Sequence, residues 1–333
     1  NNSGTGVVGV NPNRKIKLHI VKVFGANGWA YSSSLINAAY KCKAAGANII
    51  SMSLGGPVMN FAEESAFAAL LRAGILLVAA AGNDGNSKMS YPASYASVMS
   101  VAAVDQKRQV ASFSQHNSRV EIAAPGVNVL STVPMGTGNG SMLTVGDVRY
   151  SPGQLIGSPR LTVTAPLADF GLGDKVDNAV AGKVCLIQRG TLTFALKVAN
   201  CQNSGGVGAI VYNNVSGSFS GTLSSMPTAI PSVTASDLEG VMLKGQLGLD
   251  ATVSVTAANY AYLDGTSMAA PHVAAVAALV WSYFPNCSAK RIRNVLDASA
   301  LDLGGHGRDD YYGYGLVQAK AAYDRLKPFG CNQ

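Results

Sequence analysis

Charge is scarce in this chain. Asp, Glu, Lys and Arg make up 13% of its 333 residues, about half the share of a typical soluble domain. Disorder needs low hydrophobicity and high charge, so the 48% apolar content points to a folded protein with a sizeable core. Long apolar runs are also missing. Stretches such as residues 74–82 are too short to span a bilayer, so no membrane partner is expected. Aromatics are few, at 7%, and do not interleave with the basic residues. Lys and Arg number 25 against 18 Asp and Glu, a net +7, and the excess is scattered apart from Arg14-Lys15-Lys17. A solvated basic surface accounts for it, and no nucleic-acid partner is expected. No Cys/His cluster has zinc spacing, and no organic cofactor is called for.

What is abundant is small. The 37 glycines, with many Ala and Ser, indicate close packing and many tight turns. Five spread-out cysteines, low charge and Asn-rich loops suggest a secreted, extracellular protein with disulfides.

Along the chain, residues 16–24 (IKLHIVKVF) are β-branched and apolar and predict a strand. Ser32-Ser33-Ser34 predicts a helix start, with Gly46 ending it, and residues 47–54 predict a buried strand. A helix over 60–73, ended by Gly74, and strands over 75–81, 98–104 and 120–124 follow. Strands alternating with helices, with near-continuous apolar strand runs, imply an α/β fold with a parallel sheet covered on both faces. The texture changes after Pro134. Residues 135–140 read as a Gly-rich linker, and 143–255 as short strands with Gly, Pro and Ser turns around a helix at 194–204. The earlier style returns at Tyr260, with a long apolar helix from Met268 and another over 289–299.

The strongest chemical signal is Gly265-Thr266-Ser267-Met268-Ala269-Ala270-Pro271-His272. Gly265 allows a sharp turn and sets Ser267 at the mouth of a helix. Unpaired N–H groups there carry a partial positive charge. A serine so placed can attack a carbonyl while its own N–H faces the oxygen that becomes negative. On composition alone, Ser267 reads as only an N-cap.

The block resembles the nucleophile motif of the subtilisin-like serine proteases (subtilases). Two further blocks match in order. Ser51-Met52-Ser53-Leu54-Gly55-Gly56 is similar to the family's substrate-binding strand, and Ala79-Ala80-Ala81-Gly82-Asn83 to its oxyanion segment. The resemblance implies a three-layer parallel-sheet subtilisin-like core and a secreted serine endopeptidase acting on polypeptides. It makes Ser267 the nucleophile, and gives the oxyanion hole to the Asn83 amide with the Ser267 N–H. It sets substrate as an added strand between Ser53-Leu54-Gly55 and Gly28-Trp29-Ala30. Ala80, Ala81 and Gly82 then wall a pocket for large apolar or aromatic residues before the scissile bond. Trp29 reads equally as an outer subsite or an ordinary surface aromatic.

A Ser–His–Asp mechanism also needs a base and a group to orient it. The first acidic residue is Glu63 and the first Asp is Asp84, and neither lies in an Asp-Thr-Gly-like block. Of His19, His116, His272 and His306, none sits in an HGTHVAG-like block, and His272 holds a structural position in the resemblance. The opening from Asn1 to Val10 resembles the segment that follows the family's His helix. The expectation is that the part bearing Asp and His is absent from this chain and acts as its partner. The alternative is a catalytically inactive peptide- or protein-binding relative. A lipase-like Gly-x-Ser-x-Gly elbow fits poorly.

Cys185 with Cys201, and Cys287 with Cys331, are placed to pair, each worth about 2–4 kcal/mol. Cys42 is left over, either bonded to the absent segment or a free buried thiol. By resemblance, the carbonyls of Ala96 and Val98 with Glu121 are a structural Ca²⁺ site; the alternative is that Glu121 simply pairs with a nearby base such as Arg119. The run Gly182-Lys183-Val184-Cys185 through Arg189-Gly190, then Phe194, Lys197 and Asn200, then Gly208 through Asn214, resembles a protease-associated (PA) domain. That family often carries a cysteine where Leu192 stands. PA domains are non-catalytic modules. The expected organisation is core 1–136, inserted PA domain 137–256 and core 257–333, similar in texture to secreted marine bacterial subtilases.

Overall fold

The computed structural model describes residues 6–12, 15–25, 28–223, 226–328 and 330–331. Asn1 to Thr5 and Arg14, named above, lie outside them. In chain order the elements are α1 (Ser32–Ala44), β1 (Ile49–Met52), α2 (Phe61–Arg72), β2 (Leu76–Ala80), β3 (Met99–Val104), β4 (Val120–Pro125), β5 (Val129–Thr132), β6 (Gly138–Val145), β7 (Val148–Tyr150), β8 (Gly153–Ile156), β9 (Thr162–Asp169), β10 (Val184–Gln188), α3 (Phe194–Asn203), β11 (Gly208–Tyr212), β12 (Gly221–Thr222), β13 (Ser232–Ala235), α4 (Asp237–Lys244), β14 (Asp250–Ala258), β15 (Tyr260–Leu263), α5 (Thr266–Tyr283), α6 (Ala289–Ala298) and α7 (Ala319–Leu326). They divide into two compact units, residues 1–129 with 263–333, and residues 130–262.

The first unit is built on a parallel sheet in the order β1-β2-β3-β4. Every residue of β2 and β3 is buried, as strands covered on both faces must be. On one face Leu76, Val78, Met99, Val101 and Ile122 pack against α5, α6 and α7. On the other, Ile50, Met52, Leu77 and Ala79 pack against Ala39 of α1 and Phe67 and Leu70 of α2. Each large side chain so buried contributes about 1.5–3 kcal/mol. This is the three-layer α/β core that the sequence implies. Asn60 caps α2 by accepting from the Glu63 N–H, and Gly74 ends the following turn at φ +88°.

One expected strand is not one. Residues 16–24 form no regular element and join none of the sheets, and Leu18 and Ile20 are each 82% exposed. Propensity reports that a segment suits a pleated surface; a strand also needs a neighbour with free N–H and C=O groups.

The second unit is a mixed nine-stranded sheet in the order β12-β8-β13-β11-β10-β9-β14-β6-β7. Its centre, β9-β10-β11-β13, is parallel. Cores lie on both faces: Ala195, Val198 and Cys201 of α3 join one, and Leu243 of α4 joins the other. The PA-like residues act structurally here. Lys197 is fully buried and donates to the carbonyls of Leu172 and Gln188. Burial lowers its pKa. Asn200 donates to the Gly173 carbonyl at 2.8 Å, and the Arg189 guanidinium lies over the rings of Phe194 and Phe219. Helix α4 was not expected, although its capping box, Ser236 with Glu239, stands in the sequence.

Cys185–Cys201 and Cys287–Cys331 are both bonded. Cys42 is a half-buried free thiol on α1, and burial raises its pKa.

Candidate active site

In a parallel sheet, loops that follow adjacent strands leave at the same end, and sites form there. β1 ends at Met52 and β2 at Ala80, so Ser53 and Asn83 emerge side by side. Helix α5 begins at that end too. Its cap is Gly265, at φ 154° and ψ 154°, and Ser267 is the second helical residue. Ser267 is therefore not the N-cap; Gly265 is. The Gly265 N–H is held by the Gly126 carbonyl at 2.8 Å.

The two expected oxyanion donors both lie near Gly265. A Cβ placed on Gly265 would lie 3.5 Å from the Asn83 amide nitrogen and 3.5 Å from the Ser267 backbone nitrogen. Asn83 is held by a neighbour that the sequence reading passed over. Its Oδ1 accepts from the Thr266 N–H at 2.8 Å and from the Thr266 hydroxyl at 2.9 Å. That hydroxyl accepts from the Gly82 N–H at 3.1 Å, and Thr266 is fully buried. With both acceptor sites of Oδ1 in use, the amide cannot flip, and its NH₂ is the group left to donate. The available signal was a hydroxyl sitting next to the nucleophile inside the same block.

The expected pocket walls need glycine. A Cβ on Gly55 would come within 2.5 Å of the Ser90 hydroxyl. Gly56 and Tyr91 exchange backbone hydrogen bonds at 2.9 and 2.8 Å, fixing the strand that carries Ser53 and Leu54. Gly82 has φ +117°, and a Cβ there would meet the Gln115 carboxamide at 1.6 Å. Ala80 and Ala81 are buried. Gly28 and Trp29 are exposed and Ala30 half-buried just before α1, and Trp29 meets Tyr31 edge to face at 4.5 Å.

The histidines are occupied elsewhere. His116 stacks on Tyr311, Nδ1 of His272 meets the Met268 carbonyl, and His306 pairs with Asp302. His19 lies exposed in the irregular segment 16–24. Among the described residues no histidine hydrogen-bonds to Ser267.

The expected calcium ligands do converge, but on an arginine. Arg293 of α6 donates to both Glu121 oxygens at 2.5 Å, to the Ala96 carbonyl at 3.0 Å and to the Val98 carbonyl at 3.4 Å. A guanidinium already supplies the positive charge that these oxygens need, so the donor set as arranged does not fit Ca²⁺. Among the described residues no group of three His, Cys, Asp or Glu is placed to hold a metal. The pair lines a cavity of about 310 Å³ with Tyr95, Arg119, Arg308 and Tyr314. Asp297, one turn along α6, faces it with a buried Oδ1 that has no partner among the described residues.

Burial, followed by the Glu121 charge and a hydrogen bond to Glu121, pushes the Asp297 carboxyl up to about 9, against the pull of Arg293. A carboxyl whose folded pKa lies above its unfolded one stabilises the fold most when protonated. That contribution is complete below the unfolded value and is lost as pH rises through about 9. Asp297→Asn keeps a donor and cannot ionise. It is expected to flatten the loss of stability between about pH 7 and pH 9 and to be the more stable form at the upper end. Denaturant unfolding across that range reads it; a profile that parallels the wild type counts against the assignment.

Ser267 thus stands in the first turn of α5 with the Asn83 amide nearby, an arrangement chemically suited to nucleophilic attack beside hydrogen-bond donors. Comparison with known proteins places the chain in a family. Residues 1–154 and 194–315 match the Subtilase family, and the chain belongs to that family. It is similar to the psychrophilic subtilisin-like protease Apa1 from the Antarctic psychrotroph Pseudoalteromonas sp. AS-11, at 39% identity and TM-score 0.77 over 97% of this chain and 80% of that one. It is 43% identical to Subtilisin BL of Lederbergia lenta over 41% of this chain and 50% of that one. It is 27% identical to Subtilisin DY of Bacillus licheniformis over 96% of this chain and 71% of that one. It spans only 35% of the alkaline protease of Alkalihalobacillus alcalophilus, which it matches at 43% identity.

Proposed function

We propose that this chain carries the nucleophile and oxyanion hole of an extracellular serine endopeptidase. The observation that supports the reading is that the Asn83 amide, held through its Oδ1 by Thr266, lies close to the turn of α5 that carries Ser267. Ser267 Oγ attacks the scissile carbonyl carbon and its proton passes to a base. The oxygen turns negative against the two donors, and the C–N bond breaks as the amine leaves protonated. Water then releases the acyl group. The base and its orienting carboxylate come from polypeptide beyond these residues, docked as a partner, with Cys42 available to tether it. The two disulfides agree with an oxidising, extracellular setting.

Substrate lies extended along Ser53-Leu54-Gly55, with Gly28-Trp29-Ala30 as the facing edge. The small walls at Ala80, Ala81 and Gly82 favour a large apolar or aromatic residue before the scissile bond. Digestion of a mixed peptide library by the full-length protein tests this. Cleavage after Phe, Tyr, Leu and Met is expected; cleavage confined to charged residues overturns it.

Residues 130–262 are a PA-type module that recruits protein substrates and performs no chemistry. Deleting residues 137–255 is expected to change hydrolysis of whole proteins severalfold more than that of short peptides. Equal effects on both refute a recruiting role. The absence of a histidine partner for Ser267 among the described residues favours one rival, a peptide-binding relative without activity. That rival predicts that the full-length protein binds the same peptides and cuts none.

A further inference from the structure

Inside an α-helix each carbonyl accepts from the N–H four residues on. For Ser267 that donor belongs to residue 271, which is proline and has no N–H. The Ser267 carbonyl is thus left open by the sequence itself, in the first turn of α5. The structure fills it from another element: the Ser53 hydroxyl donates to the Ser267 carbonyl at 2.6 Å. Ser53 directly follows β1 and begins the Ser53-Leu54-Gly55 edge. Residue 53 is solvent-facing, so the bond is not required to satisfy a group sealed in the core.

We propose that Ser53 is a positioning residue, and that Pro271 opens the Ser267 carbonyl so that the substrate-binding strand can be bonded directly to the nucleophile. The hydroxyl sets the distance between the edge that holds the peptide and the oxygen that attacks it. An ordinary helical N–H at position 271 would close the first turn on itself and leave the two elements to find their spacing through packing alone. On the other side, Thr266 links the same turn to Gly82 and Asn83. The nucleophile turn is thereby tied to both pocket walls by side-chain hydrogen bonds, one from each flank. This inference rests on the endopeptidase reading for its catalytic half and on geometry alone for its structural half.

A double-mutant cycle in the full-length protein separates the two. Ser53→Ala is expected to lower kcat about tenfold, as a small displacement of reacting groups does, with KM within about twofold. Ser53→Thr retains the hydroxyl and restores kcat. Ser53→Ala also lowers the melting temperature by about 2–4 °C, the equivalent of one lost hydrogen bond. Pro271→Ala returns the backbone donor, so in that background Ser53→Ala is expected to have less than about a third of either effect. Penalties equal in both backgrounds, in melting or in kcat, overturn the inference. If the wild type cuts no peptide, the endopeptidase reading fails, while the melting cycle still decides whether Ser53 replaces the missing donor.

Discussion

Asn83→Leu is expected to lower kcat by about 10²–10³ with little change in KM, a loss of roughly 2.7–4 kcal/mol; the magnitude is that of removing the corresponding donor in a subtilisin. The reasoning is geometric. The amide meets the oxygen only once it has become tetrahedral and negative, so the loss falls on the transition state and spares binding. Thr266 sharpens the prediction. Its N–H and hydroxyl both hold the Asn83 carbonyl oxygen, so Thr266→Val should cost part of the same loss, because the backbone bond at 2.8 Å survives. The two effects should not add, since Thr266 works through Asn83. Steady-state kinetics on one peptide reads the two single variants and their combination. A rise in KM at unchanged kcat would mean that Asn83 binds substrate and does not stabilise the oxyanion.

Glu121→Gln is expected to destabilise the first unit by about 3 kcal/mol. The Glu121 and Arg293 side chains are only 10% and 17% exposed, and Arg293 also spans the carbonyls of Ala96 and Val98. Removing the Glu121 carboxylate breaks the bidentate pair and leaves the guanidinium only Asp297, itself costly to ionise because it is buried, so the poorly compensated buried charge dominates. Glu121→Gln combined with Arg293→Met removes both charges and should recover most of the loss. Denaturant unfolding of the wild type and the two variants reads it. If the single variant unfolds with the wild type, or if millimolar Ca²⁺ stabilises the wild type but not the double variant, the arginine is not the cation of this site.

The contrast between what the sequence shows and what it hides has a physical basis. The core was legible because buried parallel strands write themselves as apolar runs: LLVAA at β2 and MSVAAV at β3. Helix ends at Asn60 and Gly74 were legible through capping chemistry. Residues 16–24 misled because strand propensity says nothing of a partner. The Ca²⁺ expectation came from three oxygens in the first half of the chain, and the arginine that takes them lies at residue 293, where no local pattern announces it. Ser267 and Asn83 stood out in blocks; Thr266 and Ser53 stood in the same blocks, but their tasks are hydrogen bonds across more than 180 residues. Those become visible only when the strand ends and the helix start are brought together.

The central claim is that Ser267 is a nucleophile with a preformed oxyanion hole. Treating the full-length folded protein with a fluorophosphonate, then mapping the adduct by mass spectrometry, tests it most directly, because the phosphonyl oxygen must occupy the same hole. The account predicts stoichiometric phosphonylation on Ser267, slowed at least about tenfold in Asn83→Leu. Peptide-bond cleavage by a protein whose Ser267 stays unmodified, or an adduct on another serine, would contradict it.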